Sequence, residues 1–163
     1  MDFRLEEKSR KIGVHIPAIL MPDAGIDLSK WSVVACDQYT SQPEYWTQVN
    51  EMVKDNPSTL DLILPEIYLE DCNIEEKIKS INKNMELYLK ENVLLPQNPG
   101  FIYVTRKTSD KDSRKGLVLS VDLEKYDYNK GSQTLIRSTE GTVVERIPPR
   151  IKIRESAPIE LPH

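Results

Sequence analysis

Apolar residues recur at helical spacing in two stretches of the chain and gather into short runs elsewhere. Ile74, Ile78, Ile81, Met85, Tyr88 and Leu89 return every three or four positions, so one face of a helix carries them from Asn73 to about Asn92. Asn73 and Glu76 stand three apart at its start, the spacing of a capping box, and Lys and Glu fill the solvent face. That Ile and Met stripe is core packing. A second helix begins at Ser41-Gln42-Pro43-Glu44, with Ser41 as cap, Glu44 completing the box and Pro43 in the first turn. It sets Tyr45, Trp46, Val49, Met52 and Val53 on one face and ends near Asp55-Asn56-Pro57.

The short runs predict strands. Val14 to Leu20 contains Pro17 and suits an edge strand. Residues 21–30 form a loop, and Trp31 to Cys36 reads as a buried strand. Leu60 to Leu64 fits either a strand or a turn. Phe101–Thr105 and Gly116–Leu123 flank the ten polar residues RKTSDKDSRK, which predicts an antiparallel hairpin with a long tip. Asp122 to Lys130 is a polar connection, and Thr142 to Val144 predicts one more short strand. Arg150-Ile151-Lys152-Ile153-Arg154 alternates cation and isoleucine, so a strand here shows a row of charge on one face and buries the other. This order predicts an α+β fold: a mixed, largely antiparallel sheet with two main helices packed on it, in one domain over residues 1–163.

Composition narrows the function classes. At 163 residues, 39% hydrophobic and 29% charged, the chain has the make-up of one globular domain. A net charge of −4 leaves no global field for nucleic acid or membrane, so anion binding must be local. The two cysteines, Cys36 and Cys72, imply neither a disulfide framework nor a zinc site. The charged N-terminus is no signal peptide, and no apolar run approaches the roughly 18 residues of a membrane span. A cytoplasmic protein is expected. The closing SAPIELPH is apolar and proline-rich, as if cut from a longer chain.

Candidate chemistry gathers at Gly131–Arg154. Arg137, Ser138, Thr139, Arg146, Arg150, Lys152 and Arg154 form a set that suits a phosphate or carboxylate group, because guanidiniums fork onto paired oxygens. The bland reading is a charged edge strand guarded against pairing. Glu140 beside Arg137 is either a structural ion pair or a general base held ionised by its neighbours. Asp37 is the second catalytic candidate, as a base or a water-mediated metal ligand; the competing reading is a turn carboxylate. Cys36 and His15 read as packing residues. The chain has no P-loop, GxGxxG, HExxH or GxSxG.

HIPAILMPDAGIDLSKW, WSVVACDQYTSQPEYW, LILPEIYLE, YDYNKGSQTLIRSTEGTVVERIPPRIKIRE and APIELPH resemble the N-terminal half of the "domain of unknown function 1015" family. The resemblance implies a bacterial cytosolic protein longer than this chain, distantly related to the ParB and sulfiredoxin-like superfamily. Members carry an Asp-Gly-His-His-Arg motif that this sequence lacks, which implies a fragment inactive alone. In that superfamily the motif serves phosphate or nucleotide chemistry, including a kinase acting on free serine. By resemblance, the expected ligand is small and anionic, a phosphorylated amino acid or a nucleotide with Mg, handled by a phosphotransfer or phosphate-ester enzyme. The alternative is a non-catalytic ligand-binding or interaction module. The acidic balance and the lack of a helix-turn-helix pattern disfavour nucleic acid. An apolar surface exposed by a cut would favour a homodimer.

Overall fold

The computed structural model of the chain describes residues 3–109, 113–137, 141 and 143–161. Its elements in order are α1 (Phe3–Lys11), β1 (Val14–His15), β2 (Leu20–Pro22), α2 (Leu28–Trp31), α3 (Pro43–Val53), α4 (Ile74–Lys90), β3 (Leu94–Pro96), β4 (Ile102–Arg106), β5 (Arg114–Val118), β6 (Ser120–Val121), β7 (Tyr126–Asp127), β8 (Ile136–Arg137) and α5 (Ile147–Glu155). The fold is α+β. Its strands pair two by two, β1 with β6, β2 with β3, β4 with β5 and β7 with β8, rather than joining in one continuous sheet. The β1–β6 and β4–β5 ladders are antiparallel and β7–β8 is parallel. No helix among the described residues is long and apolar enough to cross a membrane. The chain divides into two compact units, one from Met21–Leu95 and Val143–Leu161, the other from Met1–Leu20 and Pro96–Thr142.

The first of these holds the core. In α4, Ile78, Ile81, Met85 and Tyr88 are buried, as their spacing requires, and in α3 Trp46, Val49 and Val53 are. Met52 falls off that stripe and is 61% exposed. The caps differ in detail. α3 starts at Pro43 behind Gln42, with no side-chain cap bond, so Ser41 lies one residue too early to cap it. Asn73 occupies the cap position of α4 without bonding through its side chain.

Trp31 to Cys36 is not a strand. Trp31 ends α2, whose Asp27 cap accepts a hydrogen bond from Ser29 N at 3.0 Å. Val33 and Val34 pack on Trp46, Val49 and Val53, which is the burial the apolar run anticipates. The backbone finds its partners singly instead of along a ladder. Thr59 Oγ1 donates to Trp31 O at 2.9 Å and accepts from Val33 N at 3.2 Å, while Glu66 N donates to Cys36 O at 2.9 Å. The ambiguous 60–64 stretch is mainly a 3-10 turn, Thr59–Leu62, whose Leu62 is 1% exposed. It is pinned to α4 by Tyr88, whose hydroxyl accepts from Ser58 N at 2.9 Å and lies 2.5 Å from Asp61 Oδ2. Burial and the bond to Asp61 hold that phenol well above its ordinary pKa.

The other expected strands near the end of the chain are also corrected. Val143 precedes a 3-10 turn, Val144–Arg146, and residue 142 lies outside the described residues. Arg150 to Arg154 belongs to the helix α5 rather than to a strand. Pro148 and Pro149 fall in its first turn, where a missing N–H leaves no bond unmade and a fixed φ favours the helix. Winding the segment at 3.6 residues per turn separates the two isoleucines. Ile153 is half-buried and Ile151 is 50% exposed.

In the second unit the N-terminal residues form α1, tied by Arg10–Glu6 at 2.7 Å and Lys11–Glu7 at 2.9 Å. Gly13 follows it at φ +78°, and a Cβ there would stand 2.7 Å from Ile136 Cδ1. Only glycine fits both conditions. β1 then pairs with β6, Val14 opposite Val121. The expected hairpin is present with shifted bounds. Its ladder runs from Ile102 opposite Val118 to Arg106 opposite Arg114, so Arg106, Arg114 and Lys115, expected in its tip, pair in the ladder. Ser120–Val121 pairs with β1 instead. Among the described residues this unit buries no large apolar side chain.

Candidate functional site

Winding Arg146 to Arg154 into a helix turn and α5 regroups the cations. Residues four apart share a face, so Arg146 and Arg150 come together. Both reach Glu66, which opens the 3-10 turn Glu66–Tyr68 and whose side chain is only 5% exposed. Arg150 Nη2 donates to Oε1 at 2.9 Å. Arg146 Nη1 stands 2.9 Å from Oε2, close enough for charge pairing, but no N–H is aligned on that oxygen. Two half-exposed guanidiniums thus share one buried carboxylate, and among the described residues one positive charge is left unmatched.

The remaining cations of α5 each have a carboxylate of their own. Lys152 Nζ bonds Glu75 Oε1 at the start of α4, and Arg154 Nη2 donates to Glu160 Oε1 at 2.6 Å. Lys152 holds the Glu75 carboxyl below its usual range, first through the hydrogen bond and then through its charge.

Beside this cluster lies a cleft of about 70 Å³. Its walls are mainly apolar, with Leu62, Met85, Ile153 and Ile159 among them, and Cys36, Glu66, Arg150, Arg154 and Glu160 contribute the polar groups. Burial pushes the Cys36 thiol above its ordinary pKa, and the positive charge of Arg150 partly offsets this. The thiol is therefore protonated at neutral pH and a weak nucleophile.

The expected site is only partly assembled. Arg146, Arg150, Lys152 and Arg154 do lie together on α5 and the turn before it. Arg137 belongs to the other unit, in β8, where its Nη1 donates to Ser132 O at 3.2 Å. Ser138, Thr139 and Glu140 lie outside the described residues. Asp37 is exposed, next to Cys36, and its carboxylate accepts from Gln38 Nε2 at 3.1 Å. Among the described residues no three His, Cys, Asp or Glu side chains are grouped to hold a metal ion.

Glu66 is the residue that local reading passes over. Its one sequence signal is its place in the middle of the apolar run LILPEIYLE, where a charge needs a partner, whereas the second carboxylate, Glu70, stands at the end of the run. That run and the arginines that answer it fall in one stretch of homology. Neither a curated protein nor a solved structure matches the chain. Residues 20–163 match the family described as "Protein of unknown function (DUF1015)", and the chain belongs to that family.

Proposed function

We propose that this chain binds a small ligand with an anionic group, held at Arg146 and Arg150, and an apolar part seated in the adjoining cleft. The observation that carries this reading is the two-to-one ratio of half-exposed guanidiniums to the buried Glu66 carboxylate. Each guanidinium has five N–H donors, and Glu66 engages one nitrogen of each. The donors left over, and the unmatched charge, suit a phosphate or carboxylate. A phosphorylated amino acid or a nucleotide is the finer proposal, and it rests on the family resemblance. The residues present do not fit a bound Mg: the two carboxylates at the cleft, Glu66 and Glu160, are each paired with arginines, and among the described residues no three His, Cys, Asp or Glu side chains group together. No phosphotransfer step is therefore routed through these side chains.

A second reading is favoured by the pairing itself. All four cations of the cluster already meet carboxylates of the same chain, which is what a structural clamp for α5 in a non-catalytic module requires. Thermal unfolding separates the two. The chain and its Arg150→Lys variant are heated with inorganic phosphate, O-phosphoserine, serine, AMP, ADP or ATP. Lysine keeps a charge for Glu66 but loses the spare fork. Stabilisation of the parent chain by phosphorylated ligands, reduced in the variant, supports anion binding. No shift in either with any ligand leaves the clamp as the role of this cluster.

A further inference from the structure

The β4–β5 ladder is the longest among the described residues, and it is covered on neither face. Residues 103–106 and 114–117 are all exposed. Side chains directly opposite each other share a face, so Tyr103 and Thr105 lie with Leu117 and Lys115. Val104 and Arg106 lie on the other face with Gly116 and Arg114. Each face is apolar at the base of the hairpin and cationic toward its tip. Tyr103 and Leu117, opposite one another, are 61% and 53% exposed.

Such a ribbon is marginal in water by itself. Arg106 opposite Arg114 weakens it further, because like charges across a ladder repel. Among the described residues no carboxylate pairs with Arg106, Lys107, Arg114 or Lys115. The chain as a whole is acidic, so this group of cations, unpaired among the described residues, is a local feature that complements a local negative charge.

We propose that the hairpin is a docking edge for an extended acidic segment of a partner protein, which adds as a strand beside β5. The outer edge of β5 pairs with no strand among the described residues, and strand addition would satisfy its backbone groups. Arg114 and Lys115 are neighbours on that edge and project to opposite faces. Two consecutive carboxylates on an incoming strand alternate in the same way and meet one cation each. An apolar residue two positions beyond covers Leu117. A second copy of the same edge would bring its own cations, which disfavours self-pairing. Single-stranded nucleic acid is the less fitting polyanion, since base stacking uses successive aromatic platforms and these two faces carry one aromatic ring, Tyr103.

The test uses the full chain and a capped synthetic peptide of alternating Val and Thr ending in two glutamates. Calorimetry reads affinity, and hydrogen exchange reads which amides become protected. The expected result is binding that protects β5, weakens as salt rises, and falls about tenfold in Arg114→Glu/Lys115→Glu. The same peptide ending in two lysines should not bind. Both substituted residues are exposed, and circular dichroism checks that the variant folds. Leu117→Ser is the second variant, which should weaken binding without altering its salt dependence. The proposal is overturned if the peptide does not bind, or binds without protecting β5. It is also overturned if an oligothymidylate binds more tightly at equal salt, or if the chain self-associates through the hairpin and the peptide does not compete.

Discussion

The two units of this chain treat charge and apolar surface in opposite ways. In the unit built on α3 and α4, the buried large apolar side chains gather, and the cations from Arg146 to Arg154 all meet carboxylates. In the other unit, apolar side chains at Tyr103, Leu117, Tyr128 and Leu135 are more than half exposed, and the hairpin cations have no acidic partners among the described residues. The first arrangement meets its charge within itself except for one cation in excess at Glu66. In the second, the hairpin leaves both its apolar side chains and its charge for something else to meet. Identical residue types therefore stand in different settings: an arginine on α5 has a carboxylate of its own chain beside it, and an arginine on β4 or β5 has none among the described residues.

The sharpest way to break this contrast is to remove the arginines that hold Glu66. Arg146→Ala/Arg150→Ala leaves a buried carboxylate with no counter-charge, and the chain should lose about 3 kcal/mol in urea unfolding at neutral pH. A loss of only a few tenths would mean that Glu66 reaches water without them. Glu66→Gln probes the same cluster from the other side. The two arginines it frees are half-exposed and can be hydrated, so the expected loss is smaller, about 1.5 kcal/mol, with an unchanged urea slope.

Why the pairing of Glu66 was hidden while the core was readable follows from the range of each interaction. The stripes of α3 and α4 are set by neighbours within a few positions, and the spacing of Trp46, Val49, Ile78, Ile81 and Met85 displays them. Trp31–Cys36 misleads because an apolar run signals burial without saying which backbone partner will satisfy it; here the partners are Thr59 and Glu66. Arg150–Arg154 misleads because alternation over five residues is also compatible with a short helix, and the deciding signal, Pro148-Pro149, sits just upstream. Of the site, the cluster of cations was legible and their acceptor was not. Glu66 and Arg150 are 84 positions apart, and no local pattern links them.

On the hairpin the sign should reverse. Arg114→Thr relieves the repulsion from Arg106 and places a good strand former opposite it, so the ladder should gain about 0.3 kcal/mol. Hydrogen exchange of the β4 and β5 amides, compared with the parent chain, reads this as slower opening. Faster opening in the variant would show that Arg114 has a stabilising partner within the chain. The contrast between the two units would then fail, and with it the ground for a docking edge.

The smallest effect should come from a contact that looks strong. Lys152 and Glu75 bond closely and join α5 to α4, yet their side chains are 50% and 59% exposed. Water screens such a pair, and fixing two long side chains offsets the gain. Lys152→Met should therefore leave the urea midpoint at neutral pH unchanged within error. What the pair does contribute has a definite sign. The carboxyl of Glu75 is lowered in the folded state, so its contribution is present above the unfolded-state pKa and is lost as pH falls through the folded value. The parent chain and the variant should differ least in strong acid, where Glu75 is protonated in both. A clear loss at neutral pH would instead place the Lys152–Glu75 pair with the Glu66 cluster, as a second fastening of α5 rather than a solvated contact.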